Sequence, residues 1–300
     1  MLQLAAAGAH VATCDISRAN VEQTVSLATA DAPAGVKITP HLCDVSDERQ
    51  VAQFASEVAA EHGSDSVNLL INNAGIGGGG SFLNDERSQW ERTFNVCWYG
   101  VYYCCRAFLP MVMKSDEGYV VNVSSINGFW GSLGPHVSHT AYSAAKFAVK
   151  GFTEALRTDL ALNAPHVKAS VVMPGHIGTS IVSNSAEIHG EGAGGDLSVE
   201  QVQALREQWG RLDASARDLS DDQVRELSAL QGQMFKDSAP TSAAEAATVI
   251  LDGVKAEQWR ILIGDDAAEL DRRVRANPEE AYTEAFYTSL TGDGFVGVPS

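Results

Sequence analysis

Apolar residues in this chain fall into two alternating patterns, short runs of consecutive and often β-branched residues and longer stretches in which they recur every three or four positions. The first pattern predicts strands over His10 to Cys14, Val36 to Cys43, Val67 to Asn72, Tyr119 to Val123, Val167 to Met173 and Ile261 to Ile263. These runs are mostly apolar along their length, as strands covered on both faces are. The second pattern predicts helices at about 18–31, 47–62, 86–113, 140–163 and 243–256. Strands alternating with helices imply parallel pairing with crossover helices, so the expected fold class is α/β, a doubly wound parallel sheet in three αβα layers.

Residues 180–240 break this rhythm. A glycine-rich patch, Gly190 to Gly195, precedes two charged helical stretches at 198–212 and 220–236, with Asp196-Leu-Ser198 and Asp218-Leu-Ser220 offering side-chain oxygens at their starts. The segment reads as a helical lid inserted in one domain spanning 1–300, because no internal repeat or linker divides the chain.

With 38 acidic against 21 basic residues, the formal charge is -17 and the surface repels nucleic acid and anionic membranes. A protein acting on small molecules is expected. The five cysteines, at 14, 43, 97, 104 and 105, are odd in number and lack metal-type pairing, which suits reduced thiols in the cytoplasm. The opening residues lack the basic leader of a secretion signal, and no apolar run is long enough to span a bilayer.

Candidate chemistry centres on Tyr142-Ser-Ala-Ala-Lys146, where helical spacing sets a phenol beside an ammonium. A nearby positive charge favours the phenolate and is expected to pull the tyrosine pKa below its free value of about 10. Asn72-Asn-Ala-Gly75 follows a buried strand and so lies at the carboxyl edge of the sheet, where open α/β folds bind ligands. Asp15 closes another strand, where an acid can accept ribose hydroxyls and repel a 2′-phosphate; it could equally cap the next helix, and Arg18 nearby could accommodate a phosphate. Ser125, just after Tyr119 to Val123, can hydrogen-bond a substrate oxygen, whereas Ser124 reads as a hydroxyl satisfying local backbone. His136 and His139 form a His-Val-Ser-His pair with no evident third ligand, so solvated or substrate-facing side chains are expected, with no metal site. His176 reads as a wall residue.

In order along the chain, Asp15, Asp44-Val45, Asn72-Asn-Ala-Gly75, Asn95-Val, Val123-Ser-Ser125, Tyr142-Ser-Ala-Ala-Lys146 and Pro174-Gly-His-Ile-Gly-Thr179 resemble the motifs of the short-chain dehydrogenase/reductase family, from about residue 3 to residue 180. The resemblance implies a Rossmann-like fold and an oxidoreductase acting on CH-OH groups, moving a hydride between NAD(H) and a secondary alcohol or ketone, with NADP less favoured because of Asp15. It implies Asn95, Ser125, Tyr142 and Lys146 as the catalytic set. Asp15, Asp44, Val45, Asn73, Ala74, Gly75, Tyr142, Lys146, Pro174, Gly175, Ile177 and Thr179 would bind the cofactor. A homodimer or homotetramer built on helices 86–113 and 140–163 is implied as well. The spacing from Ser125 to Tyr142 exceeds the family's usual one, so Gly128 to His139 should bulge beside the site.

One family element is missing. The family's first strand and glycine-rich turn cradle the pyrophosphate on backbone amides, whereas Met1 to Gly8 resembles only the last turns of the helix that follows. Roughly 25 further residues would supply them, so an N-terminally shortened gene model is expected. Gly77-Gly-Gly-Gly80 lies too far along the topology to substitute. Without that strand, two others should lack a ladder partner. The alternative reading is a non-catalytic Rossmann-like scaffold or an impaired cofactor binder.

Overall fold

The computed structural model describes residues 1–134, 137–190 and 197–292. Six strands carry the fold: β1 (Val11–Asp15), β2 (Ile38–Leu42), β3 (Leu69–Asn72), β4 (Gly118–Val123), β5 (Val167–Pro174) and, last in the chain, β8 (Arg260–Ile263). A two-residue parallel pair, β6 (Ile177–Gly178) with β7 (Thr241–Ser242), lies between β5 and β8 in sequence. All pairings are parallel, and each crossover carries helix, as parallel strands require. The crossover helices are α2 (Arg18–Ala30), α3 (Glu48–His62), α4 (Arg87–Phe94) with α5 (Gly100–Val112), α6 (Thr140–Asn163) and α10 (Ala243–Lys255); a short α1 (Leu2–Ala6) precedes β1.

Apart from the β6-β7 pair, the described strands form two sheets, β1-β2 and β3-β4-β5-β8. Among the described residues, β1 and β3 each have a single ladder partner, and both line the same large cleft. The predicted strand over 36–43 is shorter because Val36 still closes a turn on Pro33, with Gly35 at φ 90°.

Residues on opposite faces of β4 enter different cores. Val120 joins Leu70 of β3 and apolar residues of α3, α5 and α6, while Val121 packs with Val172, Ile261, Ile263 and Ala246 of α10. That places helices on both faces, the three-layer arrangement. At the strand ends, Asn72 Nδ2 donates to Asn122 Oδ1 at 2.8 Å and Asn122 Nδ2 to Thr153 Oγ1 at 2.9 Å, a buried chain that ties β3 and β4 to α6. Burying these amides is tolerated because each donor finds an acceptor.

The predicted helix over 86–113 contains a π turn at Asn95–Tyr99, between α4 and α5. Among the described residues of 181–237 lie the α-helices α7 (Ile181–His189), α8 (Val199–Leu212) and α9 (Asp221–Asp237). Ser198 and Ser220 cap α8 and α9 in capping boxes with Gln201 and Gln223, the role their spacing suggested. Of the glycine-rich patch, Gly190 ends α7 in the left-handed conformation, while residues 191–196 lie outside the described set.

Beyond β8, α11 (Asp265–Ala276) and α12 (Glu284–Gly292) were not among the predicted helices, although α11 has acids in its first turn and arginines in its last. They close a satellite core around Trp130, which is 1% exposed and whose indole N–H donates to the Ala281 carbonyl at 2.8 Å. Arg260 of β8 grips Asp271 of α11 with two guanidinium nitrogens, one at 3.0 Å from Oδ2, and Arg275 Nε reaches Asp271 Oδ1 at 2.9 Å. The Arg260 and Asp271 side chains are only 12% and 11% exposed.

Candidate active site

The carboxyl ends of β1, β3, β4 and β5 open onto one continuous cleft of about 2850 Å3. Tyr142 and Lys146 enter it from the first turns of α6, four residues apart. Lys146 is 2% exposed; its Nζ donates to the Val123 carbonyl at 2.9 Å and lies 5.3 Å from the centre of the Tyr142 ring. The two consecutive serines make different contacts. Ser124 Oγ donates to the Lys146 carbonyl at 2.8 Å and holds α6 against the end of β4. Ser125 comes within hydrogen-bonding reach of the Tyr142 phenol while accepting the Asn127 N–H at 3.1 Å.

The Tyr142 phenol departs from expectation in one respect. Burial pushes its pKa up, and the Cys97 thiol adds to that; Lys146 and the Ser125 hydrogen bond pull down without reversing it, so the net shift is upward. Desolvating a phenolate outweighs an ammonium 5.3 Å from the ring that also serves a backbone carbonyl. Without ligand, Tyr142 is therefore a protonated phenol at neutral pH.

His139, immediately before α6, packs on Tyr142 with the rings tilted and their centres 4.7 Å apart, and burial pushes its pKa down to about 4. It is a neutral wall of the cleft; His136 lies outside the described residues. Among the described residues no group of His, Cys, Asp or Glu is gathered to hold a metal. Asn95 sits where α4 gives way to the π turn and lines the cleft.

The residues assigned to the cofactor line the same cleft. Asp15 Oδ1 accepts the Ser17 N–H at 2.7 Å, and Ser17, not Asp15, caps α2. Arg18 instead pairs with Glu22 at 3.6 Å on an exposed face. Asp44 Oδ1 takes both the amide (2.9 Å) and hydroxyl (2.7 Å) of Ser46, while Asp47 caps α3. Val45 is buried under the cleft floor, and Asn73, Ala74 and Gly75 follow buried Asn72 along its edge. Pro174 ends β5, Gly175 donates to the Ile263 carbonyl at 2.9 Å, and Thr179 to the Ile177 carbonyl at 2.8 Å.

Sequence reasoning missed a support beneath this loop. Asp266, in the first turn of α11, accepts the His176 N–H at 2.7 Å and lies so close under Gly175 that a Cβ there would come within 2.2 Å of its carboxylate. His176 itself is buried, its ring tilted against that of Phe235 of α9 with centres 4.2 Å apart, and Nε2 donates to the Phe235 carbonyl at 2.7 Å. The signal available for Asp266 was its place just past a strand, at the same sheet edge as the other motifs.

The sequence model of the short chain dehydrogenase family matches residues 1–189, and the chain belongs to that family of oxidoreductases. Over 190 residues it is 36% identical to SadH, described as an oxidoreductase, of Mycobacterium tuberculosis, a match covering 63% of this chain and 66% of that protein. It is 30% identical over 186 residues to the 3-oxoacyl-[acyl-carrier-protein] reductase FabG of Thermotoga maritima, covering 62% of this chain and 71% of FabG. Its fold resembles a short chain dehydrogenase/reductase from Burkholderia phymatum solved in complex with NAD, with a TM-score of 0.68 at 24% identity over 90% of this chain and 84% of the other. The chain thus spans just under two thirds of the length of SadH, and only 29% of a second mycobacterial relative, EphD.

Proposed function

We propose that this chain is an NAD-dependent dehydrogenase/reductase that moves a hydride between nicotinamide and the carbon of a secondary alcohol or ketone. The observation that supports it most directly is the buried Lys146 ammonium beside the Tyr142 phenol, with Ser125 in reach of the same phenol, at the mouth of a sheet-edge cleft. A scaffold has no physical use for a buried ammonium held beside a phenol. The cleft also fits a dinucleotide: Asp15 keeps one carboxylate oxygen uncommitted for ribose hydroxyls, and Asn73 to Gly75 leave exposed backbone and small side chains at the sheet edge.

The bound cofactor supplies the hydride acceptor or donor. In the reductive direction Tyr142, protonated at neutral pH, gives its proton to the substrate oxygen as charge develops there, and the Ser125 hydroxyl donates a second hydrogen bond to that oxygen. Lys146 stabilises the phenolate left behind and would hold a ribose hydroxyl of the bound cofactor; Asn95 would support proton exchange with solvent. In the oxidative direction the phenol must first ionise, so rate should rise with pH. Lys146→Met removes the downward pull on the phenol, and the rising limb of kcat/KM for alcohol oxidation is expected to move to higher pH. An unmoved limb would remove Lys146 from this role.

Asp15 favours NAD over NADP. Asp15→Ala is expected to weaken NADH binding roughly ten- to hundredfold and to narrow the gap to NADPH, read by nicotinamide fluorescence. The same titration on the unaltered chain, followed by a panel of secondary alcohols and ketones, tests the whole reading: binding of neither NADH nor NADPH would leave the scaffold alternative standing.

We further propose that residues 180–240 act as a lid within a single domain, shaping the pocket for a bulky apolar substrate, and that α4, α5 and α6 form a homodimer or homotetramer interface. Tyr99 of the π turn, Met113 just past α5 and Phe147 of α6 are exposed there. A cytoplasmic location suits the five free thiols, and no helix among the described residues is long and apolar enough to cross a membrane.

A further inference from the structure

The Gly77 to Gly80 run takes no part in the chemistry above, yet it joins α7 of the lid to the start of the helix that carries Tyr142. At one end the Gly77 N–H donates to Ser185 Oγ at 2.8 Å, and the Gly77 carbonyl accepts His189 Nε2 at 2.8 Å and the Thr93 hydroxyl at 3.3 Å. The Arg92 guanidinium donates to the Ile188 carbonyl beside them. At the other end the Gly79 carbonyl accepts the Ala141 amide at 3.2 Å, and the Gly80 carbonyl accepts the Thr140 amide at 2.9 Å and the Thr140 hydroxyl at 3.0 Å. Trp90 Nε1 donates to that hydroxyl at 3.0 Å.

The first amides of a helix need acceptors from outside it. In α6 the N-cap residue, His139, supplies no side-chain acceptor, and the two strap carbonyls do so instead. Tyr142 is the next residue.

The strap is closely fitted at its centre. Gly78 has φ +102°, and a Cβ there would lie 2.5 Å from His189 Nε2; Gly79 has φ +60°, and a Cβ would lie 2.8 Å from the Trp90 Cα. Side chains disfavour both the backbone angles and the space. Four residues reach at most about 14 Å when extended, so a strap pinned at both ends has little slack to absorb a shift of α7.

We propose that Ser185 and His189 are positioning residues for Tyr142: docking of α7 on the glycine strap sets the first turn of α6 and with it the phenol. The inference rests on Tyr142 as the acid-base residue. It also bears on substrate class. A substrate long enough to reach from Tyr142 to α7 seats the lid helix and completes its own catalytic geometry, whereas a truncated one loses kcat as well as affinity.

The test compares the full chain with its Ser185→Ala, His189→Ala double variant by hydrogen exchange at the Thr140 and Ala141 amides, with steady-state kinetics alongside. Exchange at both amides should accelerate more than tenfold, and kcat should fall about ten- to a hundredfold with NADH affinity unchanged. Gln233→Ala, which loses only a bond to Asp237 within α9, should move neither reading. Faster exchange in α7 with unchanged exchange at Thr140 and Ala141 would overturn the coupling. Should the double variant not fold, Ser185→Ala alone, which removes one acceptor, reports on the same two amides. Exchange reads out whether or not the chain turns over substrate, so failure of the coupling stays distinct from failure of the Tyr142 assignment, which Tyr142→Phe decides.

Discussion

Tyr142→Phe is expected to lower kcat by about 10²- to 10⁴-fold, the range that a positioned proton donor supplies, while leaving NADH affinity nearly unchanged. The substitution deletes one oxygen and preserves the ring that packs against His139 at 4.7 Å, so loss of packing cannot account for the effect. Parallel measurement of circular dichroism, NADH fluorescence and turnover separates the proton step from folding and binding. Undiminished turnover would sink the mechanism. A fall in NADH affinity equal to the fall in rate would make Tyr142 a binding residue instead.

The second large effect concerns stability. Asp271→Asn leaves the Arg260 guanidinium, 12% exposed, without its counter-charge, and breaking a buried pair in this way costs about 3–5 kcal/mol. Thermal unfolding should shift down by on the order of 10 °C. Replacing both partners together, Arg260→Leu with Asp271→Leu, should restore most of the loss because no charge is stranded. Equal stability of the single and double variants would refute the account. The pair also has a pH signature. Burial alone would push Asp271 up, but Arg260 and Arg275 outweigh it and hold its pKa below the usual carboxylate value. A depressed carboxyl contributes stability that is complete above the free aspartate value near 4 and is lost as pH falls through the lower folded value. Asp271→Asn should therefore flatten the acid limb of a stability profile.

Much of the strand framework was legible because fully buried strands are written as consecutive apolar residues, and polar motifs that end such runs mark the ligand edge of the sheet. Asp15, Ser125 and Asn73 to Gly75 all follow from that logic, and the structure gathers them on one cleft. Helix caps were equally local: Ser198 and Ser220 need only a partner three residues on. What could not be read depends on distant parts of the chain meeting. Asp266 under Gly175 and the glycine strap between Ser185 and Thr140 join segments from about 60 to more than 100 residues apart in sequence. The direction of the Tyr142 shift failed for a related reason: spacing locates Lys146 but says nothing about how much water is excluded from the phenol. The π turn escaped because α4 before it, Arg87–Phe94, is too short a run to fix the phase that its extra residue then changes.

That turn changes how the helices around it can be oriented. One additional residue in a helical turn advances the azimuth of everything beyond it by about 100°. Before the turn, α4 faces α6 and its Tyr142; after it, α5 faces α3 and the deep core. A regular helix on one axis would have to sacrifice one contact to make the other. Removing a single residue from Asn95–Tyr99 would restore ideal winding and rotate the two faces out of alignment, so a helix with better local geometry would serve both its neighbours less well.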